Sequence, residues 1–368
     1  MDCEVYMKKG RIYICHTFFH VYVSFLKEFA KPEEERGNAS VILSTLSNDF
    51  ADLSDRILTG GVFKEVFVYD EKRETDYPEL AKWKKNRGNI LFNLIPRIVF
   101  TKKFAKAMAP GVPVDFREYD DVYLFCDSDP IGYYLNKYRI PYHSVEDGLD
   151  CYRGFVPAIY DNRKFLKFKL FLSRKLNWIY IGDGYGKYCI DMEVNDLSII
   201  GYKGSNYIEC PRKRMEDSLT EEQKNILVRV FVRDMDRMLR EIRNTSTGKD
   251  NILILTEPLC TLDVRQTIFR DLIARYEKEG KVFLKIHPRD ELDYEHLFSD
   301  VFRFDKTVPM EILNFFSELH FKKVVSVFTE LGSITFADEK ERLGRYFMDR
   351  YEDPEVHNQN EKVAHLKN

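Results

Sequence analysis

The chain has 368 residues, more than one ordinary hydrophobic core organises, so two domains are expected. It is 44% hydrophobic and 14% aromatic, and a net charge of -3 argues against a general nucleic-acid binder. Its seven cysteines are scattered and form no C-x-x-C pair, which argues against a disulfide framework or a structural zinc site and fits a reducing compartment.

The first eleven residues are charged, and no small-residue cleavage site follows the next apolar run. That run, Ile12 to Leu26, is shorter than a membrane span. The expectation is a soluble, cytoplasmic protein, or one lying at the inner face of the cell membrane. Strand-like runs then alternate with helix-like ones. "RIYICH" (Arg11–His16), "SVILST" (Ser40–Thr45), "VFKEVFVYD" (Val62–Asp70), "DVYLFCD" (Asp121–Asp127) and "PYHSVEDG" (Pro141–Gly148) read as strands. A helical pattern follows from about His20 to Ala30, a basic helical stretch runs through Trp83 and Phe104, and "DPIGYYLNKY" opens a helix.

The second half repeats the scheme. "NILILT" (Asn251–Thr256), "KVFLKI" (Lys281–Ile286), "VFRFD" (Val301–Asp305) and "KKVVSVF" (Lys322–Phe328) read as strands. Val264, Ile268, Leu272 and Tyr276 recur at helical spacing, a helix is expected from about Pro309, and "TELGSITF" is expected to enter another. Strands alternating with helices predict an α/β protein with two Rossmann-like domains and mainly parallel sheets facing across a cleft, the GT-B architecture. The boundary is placed between residues 175 and 176, giving domains of 1–175 and 176–368. Between them, Asn162–Trp178 is basic and aromatic with no acid. It is either a solvated helix or a peripheral contact with an anionic membrane surface.

The polar groups fall at predicted strand ends, where ligands of such sheets bind. In "VFLKIHPRD", His287 follows a buried strand, with Pro288 to fix the loop and Arg289 beside it. The imidazole either caps the strand or serves a phosphate, since it titrates near neutrality. Glu146-Asp147-Gly148 is either a solvated turn or a carboxylate site whose glycine admits a close substrate. Ser326 and Thr329 either cap a helix or hold a phosphate, and Glu257 ends the neighbouring strand. Asp263 is a helix N-cap or a base. His16 and Thr17 end the first strand. Asp127-x-Asp129 resembles the metal-holding D-x-D of GT-A enzymes, a short pattern common by chance. The Gly-rich "IGDGYGKY" (Ile181–Tyr188) lacks the dinucleotide spacing.

Taken in order, "YICHT", "EDG", "ILTEPL", "KIHPRD" and a hydroxyl-bearing strand end resemble the bacterial sialyltransferases, most closely glycosyltransferase family 52, from about Ile12 to Phe336. The resemblance implies a GT-B fold and an inverting, metal-independent transfer of sialic acid from CMP-sialic acid to a hydroxyl of a lipooligosaccharide, capsule or exopolysaccharide, with no cofactor. It implies that His287 assists the departing phosphate, with Pro288, Arg289, Ser326, Thr329 and Glu257 on the donor side. Asp263 would be the general base, while related enzymes give that role to the acidic triplet, here Glu146 and Asp147. His16, Thr17 and Gly148 would lie on the acceptor side. Where the family carries paired hydroxyls, this chain has Phe328-Thr329, and "CHTFFH" replaces a Pro- and Gln-containing turn. A UDP-sugar donor, or nucleotide-sugar binding without catalysis, stays open. The partners expected are a nucleotide-sugar donor and a glycan acceptor, with no nucleic acid, and an oligomer is compatible.

Overall fold

A computed structural model describes residues 9–147, 156–202, 204–245 and 250–353. The chain divides into two compact units, Met1–Leu219 and Thr220–Asn368. The first holds β1 (Lys9–Cys15), β2 (Ala39–Ser44), β3 (Phe63–Tyr69), β4 (Tyr119–Phe125), β5 (Tyr142–Val145), β6 (Cys189–Val194) and β7 (Tyr207–Glu209). They form one sheet in the order β3-β2-β1-β4-β5-β6-β7, with every pairing parallel. β2 is buried along its whole length and β1 nearly so. That is why their sequences run apolar on both faces rather than alternating. Ile12, Ile14, Ile42, Val122 and Leu124 meet Ile131 and Leu135 of the helix Pro130–Tyr138 in one core cluster.

The second unit holds β8 (Asn251–Leu255), β9 (Lys281–Lys285), β10 (Phe302–Phe304), β11 (Phe321–Ser326) and β12 (Ala337–Arg342), ordered β10-β9-β8-β11-β12 and again all parallel. Its core places Ile252, Ile254, Val282, Leu284 and Val325 against Ile268, Phe269 and Leu272 of the helix Leu262–Tyr276. In both sheets the chain works outward in one direction and then jumps back over the first strand. The reversal falls between β1 and β4 in one unit and between β8 and β11 in the other. Loops leave the two strands at such a point in opposite directions and open a crevice at the carboxyl ends.

Several expectations are corrected. The boundary lies at Leu219/Thr220, not at 175/176. β6 and β7 hydrogen-bond onto β5 and extend the first sheet, so the residues up to Leu219 belong with it. The helix expected from Pro309 is a tighter 3₁₀ turn, Met310–Phe315. Thr329–Phe336 forms turns rather than a helix, and the chain instead returns through β12 to pair with β11.

The helix Pro130–Tyr138 starts at the β1/β4 crevice and packs very closely there. A Cβ added at Gly132 would stand 2.1 Å from the Asp127 carbonyl oxygen and 2.3 Å from the Tyr180 hydroxyl. Because one of these atoms is backbone, relaxation would move the start of the helix. Gly132→Ala is expected to destabilise the protein by about 1–3 kcal/mol, as overpacking of a dense site does, read as a lower midpoint in denaturant unfolding. An unchanged midpoint would show that the crevice is looser than described.

Candidate active site

In the second unit, β9 ends at Lys285 and delivers His287 to the carboxyl edge of the sheet. Three contacts hold the turn. The His287 N–H donates to the Thr256 hydroxyl (2.9 Å), the Asp290 N–H donates to the His287 carbonyl (2.9 Å), and the Arg289 N–H donates to His287 Nδ1 (3.1 Å). Asp290 is itself buried against Arg265 Nη1 (2.6 Å) and the Tyr294 hydroxyl (2.8 Å). Pro288 fixes the backbone between imidazole and amide. With Nδ1 accepting, the neutral ring carries its proton on Nε2 and presents a donor there. Burial, and then the charges of Arg289 and Lys285, lower the His287 pKa to about 4. Lys285 is buried too, bonded to the carbonyls of Ile286 and Asp305 (3.1 and 3.2 Å), and burial lowers it to about 8.

Beside His287 the crevice between β8 and β11 is organised by Glu257. Its carboxylate accepts from the backbone N–H groups of Val327, Phe328 and Thr329, all at 3.0 Å. Glu257, expected on the donor side, is a buried brace that shapes the loop. Ser326 is likewise buried, and its hydroxyl donates to the Thr329 carbonyl (2.7 Å). Of the expected hydroxyl pair, only Thr329 is exposed. It caps no helix, since none starts there. Asp263 is exposed in the first turn of the helix Leu262–Tyr276, whose N-cap is Thr261, so the N-cap reading of Asp263 does not hold.

In the first unit, the "EDG" triplet separates into unlike parts. Glu146 is buried, ion-paired to Arg212, and accepts the Asn195 N–H (3.0 Å). It ties β5 to the segment after β7, and its carboxylate is engaged in that tie. Asp147 is 45% exposed, and one oxygen bonds to His20 Nε2. Gly148 lies outside the described residues. His20 is the residue that the sequence reading missed. Its Nδ1 accepts the His16 N–H (3.0 Å), so the neutral ring donates from Nε2 toward Asp147. Burial lowers the His20 pKa against the opposing pull of Asp147. The available signal was the i, i+4 pair His16/His20 about the N-cap Thr17, whose hydroxyl accepts the His20 N–H (3.2 Å).

His16, expected on the acceptor side, lies beneath the strand end. It is buried, with Nε2 on Glu71 (2.8 Å) and Asp129 3.6 Å away. Burial opposes its charge, but the bond to Glu71 and the carboxylates around it outweigh burial and raise its pKa. Asp127 of the D-x-D is buried and accepts from the Tyr142 hydroxyl (3.0 Å) and from the backbone N–H groups of Asp183 (2.5 Å) and Gly184 (3.1 Å). The Gly-rich stretch thus forms a loop clamped to the end of β4, and the Asp127 carboxylate is engaged in holding it. The ligand atoms of His20, Cys126 and Asp147 lie within 4.8 Å of one another, a spacing that a divalent ion spans, though imidazole and carboxylate already bond each other. The Asn162–Trp178 segment contains the helix Leu166–Arg174, which buries Leu170 and Leu172 and leaves Phe165, Phe168, Phe171 and Trp178 exposed. Among the described residues no helix is long and apolar enough to cross a membrane.

The chain belongs to glycosyltransferase family 52, whose model matches residues 102–339, more than half of its length. It is a glycosyltransferase. Among solved structures it is similar to an alpha/beta-galactoside alpha-2,3-sialyltransferase from Photobacterium phosphoreum, with 11% identity and a TM-score of 0.52 over 90% of this chain and 89% of that one. A sialyltransferase GT-B domain from Photobacterium damselae aligns at 10% identity and a TM-score of 0.46, over 87% and 86% of the two chains. At such identities the first likeness establishes the fold, and the expected GT-B class, two Rossmann-like units with parallel sheets, is the fold found. An uncharacterized protein of Haemophilus influenzae is 27% identical over 132 residues, 34% of this chain and 40% of the relative's length.

Two measurements check this geometry. Arg212→Ala leaves the Glu146 charge buried and unpaired, and the expected loss is about 3–5 kcal/mol, much of it recovered when Glu146→Gln is added. Additive losses would break the assigned pair. By NMR, the His287 imidazole is expected to titrate near pH 4 in the free protein. Its folded pKa lies below the unfolded value of about 6.5, so the unfolded chain binds more protons in between. Stability therefore falls as pH drops from about 6.5 toward 4, and His287→Gln flattens part of that slope. A midpoint near 6.5 would remove the effect.

Proposed function

We propose that the protein is an inverting, metal-independent sialyltransferase that moves sialic acid from CMP-sialic acid to a hydroxyl of a cell-surface glycan. The observation that carries the reading is the tautomer of His287, which directs an N–H at the carboxyl edge of β9 beside a loop of gathered amides. CMP departs as a monophosphate. A neutral imidazole donor, the nearby guanidinium of Arg289 and the Thr329 hydroxyl are enough to receive its charge, whereas a diphosphate demands more countercharge. Family membership and the "EDG" and "HP" segments support the same reading.

The step is a single displacement. A carboxylate takes the proton of the acceptor hydroxyl, and that oxygen bonds to the anomeric carbon as the bond from that carbon to the phosphate oxygen breaks. The electron pair leaves with CMP, stabilised through His287 Nε2. Asp263, exposed and in the same unit as His287, takes the base role, and Asp147, steadied by His20, positions the acceptor.

Calorimetric titration with CMP, UDP and GDP, each with Mg²⁺ and again with EDTA, tests the donor. The expected result is CMP binding that EDTA leaves unchanged and His287→Ala abolishes. Binding of UDP alone, or a need for Mg²⁺, would overturn the reading. In turnover, Asp263→Asn is expected to lower kcat by ~10²–10⁴-fold, the usual worth of a positioned base, while Asp147→Asn acts mainly on the acceptor KM. The reverse pattern moves the base to Asp147.

A further inference from the structure

An open cavity of about 910 Å³ lies wholly within the first unit. Residues of the helices Ile90–Met108 and Leu166–Arg174, which pack together through Leu94, Ile98 and Leu170, line it, and so do Ser128, Gly182 and Asp183, here termed its floor. Its volume is that of a small-molecule site. Two features of its walls point to the same kind of ligand. The first is charge. Lys85, Arg97, Lys164 and Lys169 line it, and none forms an ion pair among the described residues. Lys84 also lines it but is held by Glu74 (2.5 Å). Of the two carboxylates in the lining, Asp183 is engaged by the Ala158 N–H (2.8 Å), and the other is Asp161. Burial and the charge of Arg97 lower the Lys169 pKa against the opposing pull of Asp161, and the cations of the lining outnumber its carboxylates. The second is aromatic area: Trp83 and Phe168 face the same space as those cations, and rings with an apolar face suit the C–H face of a sugar.

The floor sets the direction. Ser128 lies between Asp127, which clamps the loop, and Asp129, 3.6 Å from His16. Ser128 follows the end of β4, whose last residue Phe125 stacks on His20 (4.5 Å), the ring that holds Asp147. The lining therefore reaches the carboxyl edge of the first sheet, the edge at which Asp147 follows β5. We propose that it is the subsite for an anionic, phosphate-bearing saccharide, the charged part of the acceptor. This meaning rests on the transferase reading, but the binding itself does not. A flat membrane surface is the lesser fit, because the unpaired cations surround a concave space rather than a projecting face.

The chain has two tryptophans, and Trp83 lines the cavity. In Trp178→Phe, Trp83 is the sole reporter; calorimetry on the unmodified chain provides the same titration should that variant not fold. The probes are fructose 1,6-bisphosphate, inorganic phosphate, sucrose and phosphatidylglycerol vesicles. The expected result is a saturable response to the sugar bisphosphate and none to sucrose. Arg97→Gln/Lys169→Gln should weaken it by about tenfold or more, given what charged hydrogen bonds contribute, while His287→Ala leaves it intact. An equal response to inorganic phosphate would reduce the cavity to a plain anion site and overturn the proposal. Vesicle binding that needs Arg97 and Lys169, without a response to the sugar phosphate, would overturn it in favour of a membrane contact. No response alongside normal CMP binding sinks the subsite alone; a response without CMP binding sinks the donor assignment and leaves the subsite standing.

Discussion

Each working edge of this protein depends on a buried carboxylate that gathers backbone amides. In the second unit Glu257 collects three N–H groups of the loop after β11. In the first, Asp127 collects two from the loop Gly182–Gly184 and a tyrosine hydroxyl. Burial raises the pKa of both groups, and the amides oppose it. A buried charge is tolerated only when such charge-assisted bonds replace water. Once made, they set the height and direction of the loop to within a hydrogen bond. The parallel sheets bring strand ends to one edge; these carboxylates turn that edge into a defined surface.

The two histidines that face these edges are oriented by one device. His20 Nδ1 accepts the His16 N–H and His287 Nδ1 accepts the Arg289 N–H. A backbone amide cannot change role, so it fixes both the ring plane and the tautomer, leaving Nε2–H as the working donor. In one unit that donor holds Asp147; in the other, on the proposed reading, it meets the phosphate of the donor. His16 differs. Its Nε2 lies on Glu71, its Nδ1 has no hydrogen-bond partner among the described residues, and it belongs to the packing beneath the site.

Much of the fold was legible because buried parallel strands read as unbroken apolar runs, as in β1, β2, β8 and β9. What escaped was short or exposed. β7 spans three residues, and β12, "ADEKER", is a charged edge strand whose composition blunts unwanted pairing and hides its own. The misplaced boundary has a related origin, since Asp191 and Glu193 interrupt the apolar run of β6 and β7 spans only three residues. Strand-end positions of His287 and Asp147 followed from the pattern. Which carboxylates are already engaged did not, because their partners are remote in sequence: Glu146 meets Arg212 66 residues on, and Glu257 meets Val327 after 70.

The charge around His287 suggests how a monophosphate is held without a preformed imidazolium. Lys285, Arg289 and Arg265 all disfavour a proton on the ring, and Asp290, the one carboxylate opposing them, is bonded to Arg265. With burial, these cations keep the histidine neutral while they themselves stay charged. An arriving dianion meets attraction from fixed cations and a donor already aimed, with no proton to be found first. Because the Arg289 amide occupies Nδ1, the ring works on the proposed reading as a neutral donor through Nε2–H, and negative charge building on a departing oxygen strengthens that one hydrogen bond. Burial, three cations and one amide together fix this state of the histidine.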